Sequence, residues 1–157
     1  MAFVRKDDVL RDLFGINKGR IDSILKNKTF CIPMVSLGEA FHQIRKKDPK
    51  CYSEPLNELN RLLDSGYLVT RYINDSTSTF SLAKEISAEV RDRRDQISPM
   101  DALIVSSAAT DQTCSQFYTS DVKLISNSRV SDLITEWRED RHYCKMKILD
   151  ASSLFRL

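Results

Sequence analysis

The sequence predicts an α/β protein, a three-layer α/β/α sandwich around a central, mostly parallel sheet. Two observations carry this. Short runs of β-forming residues alternate with longer stretches of helical periodicity, the pattern of strands joined by helical crossovers. The 157 residues, 41% hydrophobic and 29% charged, have the size and composition of one compact domain, expected to span residues 1–157.

The elements follow in order. "MAFV" opens the chain as a short strand. Asp7 to Phe14 reads as a helix ended near Gly15, and "GRIDSILKN" as a second short helix. "IPMVSLGEAFHQIRKK" reads as a helix, with Pro33 near its start and Met34, Leu37, Phe41 and Ile44 at helical spacing. "SEPLNELNRLLDSG" is another helix, stopped by Gly66. "YLVTRYI" is rich in β-formers and reads as a strand. "DSTST" is a loop carrying a cap, and "FSLAKEISAEVRDRRD" an amphipathic helix. "SPMDALIVSSA" begins a largely apolar helix. "SQFYTS" is a strand, "DVKLISNSR" leads into the helix "VSDLITEWREDRHY", and "KMKIL" is a closing strand.

Bulk properties exclude several classes. The net charge of +2 predicts no nucleic-acid partner by itself. The basic runs Arg45–Lys47 and Arg91–Asp95 read first as solvated helix faces and second as a phosphate-binding rim. The cysteines at 31, 51, 114 and 144 include no C-x-x-C pair and have only His42 and His142 to join them, which argues against zinc. The sequence shows neither a signal-peptide pattern nor an apolar run long enough to span a membrane. Reduced thiols and a cytoplasmic location are therefore expected, with no membrane partner. Four glycines leave no GxGxxG or GxxxxGK loop, which disfavours a nucleotide-binding domain.

The informative residues are acids. In "SPMDALIVSSA", Ser98 suits the N-cap, Pro99 the first helical position and Asp101 the third, where an acid meets the positive end of the helix dipole. Yet Val105 lies one turn beyond Asp101 and Ala108 nearly two, so the carboxylate shares a stripe with apolar groups. In an open parallel sheet, ligands bind at the carboxyl ends of the strands, where strand order reverses. The end of "QFYTSD" brings Asp121 to that edge, and a helix returning between parallel strands starts there, as the Asp101 helix would. Glu39 in "SLGEA" lies nearly opposite Leu37, Phe41 and Ile44 on its helix wheel, so periodicity alone makes it a surface acid.

"PMVSLGEAF", "DALIVSSA" and "FYTSDVKLI", in this order, resemble the motifs of the PIN-domain ribonucleases, especially the VapC-type toxins of bacterial and archaeal toxin–antitoxin pairs. The resemblance spans most of the chain. It implies a PIN-like fold and metal-dependent hydrolysis of RNA phosphodiester bonds. It also implies a site of Glu39, Asp101 and Asp121, with Thr119 supporting Asp121. Carboxylates about 4 Å apart repel by roughly 4 kcal/mol at an effective dielectric near 20, so such a site needs a cation or protons. Hard oxygen donors suit Mg²⁺ or Mn²⁺. The implied partners are the RNA substrate, a small antitoxin and a second copy in a homodimer.

The opening departs from the family. Its first strand normally ends in aspartate, whereas "MAFVRKDD" puts Lys6 or Arg5 there, depending on the register. Asp7, supported by Asp8, takes the catalytic and metal-binding role if the turn shifts by one or two residues. Otherwise these acids simply favour the start of a helix. Two functions follow: a metal-dependent endoribonuclease acting as a toxin, or a catalytically impaired PIN-fold module that binds RNA or a protein partner.

Overall fold

The computed structural model describes residues 2–4, 30–38, 42, 53–73, 75–89 and 97–154. The helices expected over Asp7–Phe14 and "GRIDSILKN", and the residues Arg5, Lys6, Asp7, Asp8 and Glu39, lie outside the described residues.

Five strands are described: β1 (Ala2–Val4), β2 (Phe30–Pro33), β3 (Leu68–Arg71), β4 (Gln116–Thr119) and β5 (Lys147–Asp150). They form one sheet of order β3-β2-β1-β4-β5. Every neighbouring pair is parallel, in the registers Phe3↔Cys31, Cys31↔Val69, Phe3↔Phe117 and Thr119↔Asp150. The mixed α/β class with a parallel sheet is therefore as expected. Strand order runs outward from β1 to β3 on one side and from β4 to β5 on the other. The reversal falls between β1 and β4.

The strand β2 was not expected. Phe30, Cys31, Ile32 and Pro33 are all buried, so the segment has no polar alternation to mark it as a strand. Pro33, read as the start of a helix, instead closes this strand, and the helical backbone begins immediately after it, over 34–38.

The helices are α1 (Ser53–Asp64), α2 (Ser76–Glu89), α3 (Pro99–Ala109), α4 (Val122–Ser126) and α5 (Ser128–Glu139). In α1, Leu59 and Leu62 are buried one turn apart, and the helix ends where Ser65 N–H donates to the Arg61 carbonyl. Gly66 follows with φ of +72°, a conformation glycine adopts without a Cβ clash. The "DSTST" segment is mostly helix rather than loop. Asp75 accepts the Ser78 N–H at 2.9 Å, so α2 starts at Ser76. Hydrogen bonding by Ser78, from its hydroxyl first and its N–H second, holds the Asp75 carboxyl below its ordinary pKa, with a smaller contribution from Arg141. In α2, Thr79, Leu82, Ala83 and Ile86 form the buried stripe.

The final helix stops earlier than "EDRHY" suggested. Tyr143 N–H donates to the Arg138 carbonyl and His142 N–H to the Glu139 carbonyl, while His142 takes φ of +56°. This is a Schellman ending with a left-handed residue. It turns the chain toward β5.

The core packs α2, α3 and α5 around Cys31, Leu82, Ile86, Ala102, Val105, Ala108, Phe117 and Ile134. Three contacts fix how these helices run. Thr79 near the head of α2 shares a 2.7 Å hydrogen bond with Thr110, the C-cap of α3. Glu89 in the tail of α2 pairs with Arg129 in the head of α5 at 3.1 Å. Ala109 at the tail of α3 is bonded to Arg138 in the tail of α5. Accordingly α3 and α5 run together and α2 runs opposite to both. Among the described residues, no helix is long and apolar enough to cross a membrane.

Candidate functional site

The connection from α3 to β4 determines which edge of the sheet the acids face. α3 ends at Ala109 and β4 begins at Gln116, so the tail of α3 lies at the amino edge of β4. From there α3 climbs 11 residues back along the sheet, about 16 Å, against about 13 Å for the four residues of β4. The head of α3, with Asp101, thus stands toward the carboxyl edge, where β4 delivers Asp121.

Each acid is placed by local structure. Ser98 caps α3, its Oγ accepting the Asp101 N–H at 3.1 Å, and Pro99 occupies the first turn. Asp101 is half-buried, whereas its neighbours Ala102, Ile104 and Val105 are buried. The helix is apolar almost all round because it packs against α2, α5 and β2. Asp121 is the N-cap of α4. Its Oδ1 accepts the Lys123 N–H at 3.0 Å, while its own N–H donates to Thr119 Oγ1 at 3.1 Å. Thr119 is fully buried at the end of β4. A threonine hydroxyl inside the sheet thus sets the direction in which the chain leaves it.

The starts of α3 and α4, which carry Asp101 and Asp121, therefore lie toward one edge of the sheet, on the β4 side of the strand-order reversal. β1 ends at that same reversal, and the residues that follow it carry Asp7 and Asp8, outside the described residues. Glu39 follows the helical residues 34–38, which leave the end of β2, and also lies outside them. Among the described residues no group of three or more His, Cys, Asp or Glu side chains is arranged to hold a metal.

Two acids outside the sequence reading have distinct positions. Asp150 ends β5 in register with Thr119, at the edge where Asp121 sits, and its Oδ1 accepts the Ser152 N–H at 2.8 Å. The signal was available, because "KILD" ends in an acid as "FYTSD" does. Asp111 is buried at the opposite edge, where its Oδ1 accepts the Thr113 N–H at 2.8 Å and the Thr113 hydroxyl at 2.6 Å. It shapes a turn rather than a site.

The buried thiols of Cys31 and Cys114 are structural. Burial pushes Cys114 up to about 12 and also raises Cys31, against the opposing effect of nearby arginines. Cys114 donates weakly to the Met146 sulfur at 3.6 Å inside the core.

No family model and no curated protein matches the chain. Solved structures do. A chain in the crystal structure of VapBC2 from Rickettsia felis, bound to a DNA fragment from its promoter, superposes with a TM-score of 0.61 at 16% identity. A chain of DNA-bound VapBC from Salmonella typhimurium gives 0.62 at 14%. Both matches cover 96% of this chain and 98% of the other. At these identities the likeness is one of fold, and it extends over 96% of the chain. It agrees with the resemblance read from the sequence motifs.

Proposed function

We propose that this protein is a VapC-type toxin of the PIN fold, a metal-dependent endoribonuclease that hydrolyses RNA phosphodiester bonds. The observation that carries the reading is that Asp101 lies in the first turn of α3 and Asp121 caps α4 directly after β4, beside the strand-order reversal of a parallel sheet. The full-length fold likeness to chains of VapBC complexes supports the toxin assignment. In this reading residues 1–157 form one domain, a three-layer α/β/α sandwich working in the cytoplasm. A small antitoxin restrains it, and a second copy completes a homodimer.

Asp101, Asp121, Glu39 and Asp7, the last supported by Asp8, would hold Mg²⁺ or Mn²⁺. Carboxylates are the hard donors these ions take. A bound ion would supply a Lewis acid for the scissile phosphate and lower the pKa of water. The chain's own contribution is placement. Thr119 and the Lys123 amide fix Asp121, and the capped start of α3 fixes Asp101. The head of α3 also presents positive dipole character, which offsets the charge of Asp101.

Calorimetry with Mn²⁺, run beside cleavage of single-stranded RNA, tests this. The wild type binds Mn²⁺ and cleaves, and a chelator stops cleavage. Asp101→Asn and Asp121→Asn each weaken binding, because asparagine keeps the shape but loses the charge. Unchanged Mn²⁺ affinity in both variants would sink the shared site.

A second reading rests on the opening "RKDD", which puts Arg5 or Lys6 where the family has an acid. In that reading the protein binds RNA or a protein partner without cutting. RNA binding without cleavage across several metals and substrates favours it. Arg5→Asp or Lys6→Asp then improves metal affinity, by removing a positive charge and adding an oxygen donor.

A further inference from the structure

The backbone carbonyls in and beside the segment 110–115 between α3 and β4 converge on one side chain from outside it. Arg138, fully buried in the last turn of α5, donates from Nε to the Cys144 carbonyl at 2.6 Å. Its Nη1 donates to the carbonyls of Ala109 at 2.7 Å and Asp111 at 3.1 Å. Its Nη2 donates to those of Cys114 at 2.8 Å and Gln112 at 3.5 Å. All five guanidinium N–H groups thus meet carbonyl oxygens. The cation sits between the negative ends of α3 and α5, which offset its charge where no carboxylate among the described residues is bonded to it. The Tyr143 ring lies 5.5 Å from its Cζ.

We propose that Arg138 is a positioning residue for the acidic edge: by gripping the α3–β4 connection at the amino edge, it fixes the height of Asp101 relative to Asp121. This rests on the reading of those two acids as ligands of one cation. α3 and β4 are stiff elements of similar length, joined only through the segment Arg138 holds. A slip of the α3 tail against the β4 head is therefore passed along α3 to Asp101. Mg²⁺ and Mn²⁺ sites of oxygen donors tolerate little such slip, since near-octahedral coordination needs ligands at about 2.0–2.1 Å for Mg²⁺. Lysine cannot substitute, because a compact ammonium with three donors cannot span carbonyls from Ala109 to Cys144.

The test compares Mn²⁺ affinity, by calorimetry, in wild type, Arg138→Lys, Tyr143→Ala and Leu82→Ala, at a temperature where each is folded by circular dichroism. Leu82 is a buried core residue of α2 with no bond to Arg138, so its loss destabilises through the core while the Arg138 bonds stay in place. Arg138→Lys is expected to weaken Mn²⁺ about tenfold, at the lower end of what loss of supporting contacts costs a metal site. It is also expected to speed amide exchange in 110–115. Tyr143→Ala falls between it and wild type, and carries the test alone if Arg138→Lys does not fold. Leu82→Ala stays within about twofold, since it leaves every bond of the guanidinium in place. Wild-type affinity in the clamp variants, or an equal loss in Leu82→Ala, overturns the proposal. If wild type, Asp101→Asn and Asp121→Asn all bind Mn²⁺ alike, the ligand reading itself has failed, and this inference falls with it.

Discussion

At the amino edge of the sheet a buried cation, Arg138, spends every donor on backbone carbonyls; at the carboxyl edge Asp101 and Asp121 are half-buried at the starts of helices. The first arrangement closes a turn that would otherwise leave polar backbone groups buried without partners. The second keeps anionic oxygens within reach of solvent and of whatever comes to the edge. Stability and chemistry are thus assigned to opposite ends of the same helix, α3. Changes at the two ends should have separable effects.

The largest expected effect breaks the amino edge. Arg138→Met removes the donors and leaves the buried carbonyls of Ala109 and Cys114 without them, and should cost more than about 3 kcal/mol in urea denaturation. A loss below about 1 kcal/mol would mean that water replaces the guanidinium easily, and the contrast between the edges would weaken.

Next comes pH. The Cys114 thiol is pushed from 9.0 up to about 12 by burial. A raised pKa keeps the proton on the folded form, so the stabilising contribution is complete below the unfolded value and is lost as pH rises. Between these two values, folding stability should fall by about 1.4 kcal/mol per pH unit from this thiol. Cys114→Ala should reduce that slope, measured by denaturation at several alkaline pH values. In the native protein at neutral pH, a thiol reagent should label exposed Cys144 before Cys31 or Cys114, which are buried.

A smaller effect sharpens the account of the turn beside the clamp. His142 holds φ of +56°, which costs a residue bearing a Cβ. His142→Gly should raise stability by about 1 kcal/mol and shift the melting temperature upward. A decrease would show that the imidazole makes a compensating contact.

The smallest stability effect belongs to the acidic edge. Without metal, Asp101→Asn and Asp121→Asn should change stability by no more than about 0.5 kcal/mol, since asparagine caps helices nearly as well as aspartate. A small gain would indicate repulsion between acids at this edge. A loss comparable to that of Arg138→Met would mean that these acids are structural.

The site was legible where local rules sufficed. Ser98, Pro99 and Asp101 form a helix start that is read from four consecutive residues, and the structure has that cap. Asp121 was legible as an acid after a short β-run. The strand β2 was not, because burial on both faces erases the alternation that marks a strand. Arg138 was equally hidden. In "EWREDRHY" it reads as one more charge on a solvated helix face, and nothing local says that four distant carbonyls and that of Cys144 meet there.

By itself the sequence determined the elements whose signals lie within a few residues: the cap at Ser98, the glycine stop at Gly66, and the strand that leads to Asp121. Those signals are local because dihedral preferences and capping bonds act over one turn. Only the tertiary structure decided the strand order β3-β2-β1-β4-β5, the common edge shared by Asp101 and Asp121, and the burial of Arg138 between two helix tails. These depend on which parallel partner each strand finds and which carbonyls a long side chain reaches across 24 to 29 residues of chain. That choice is made by packing of the whole core, which no single segment encodes.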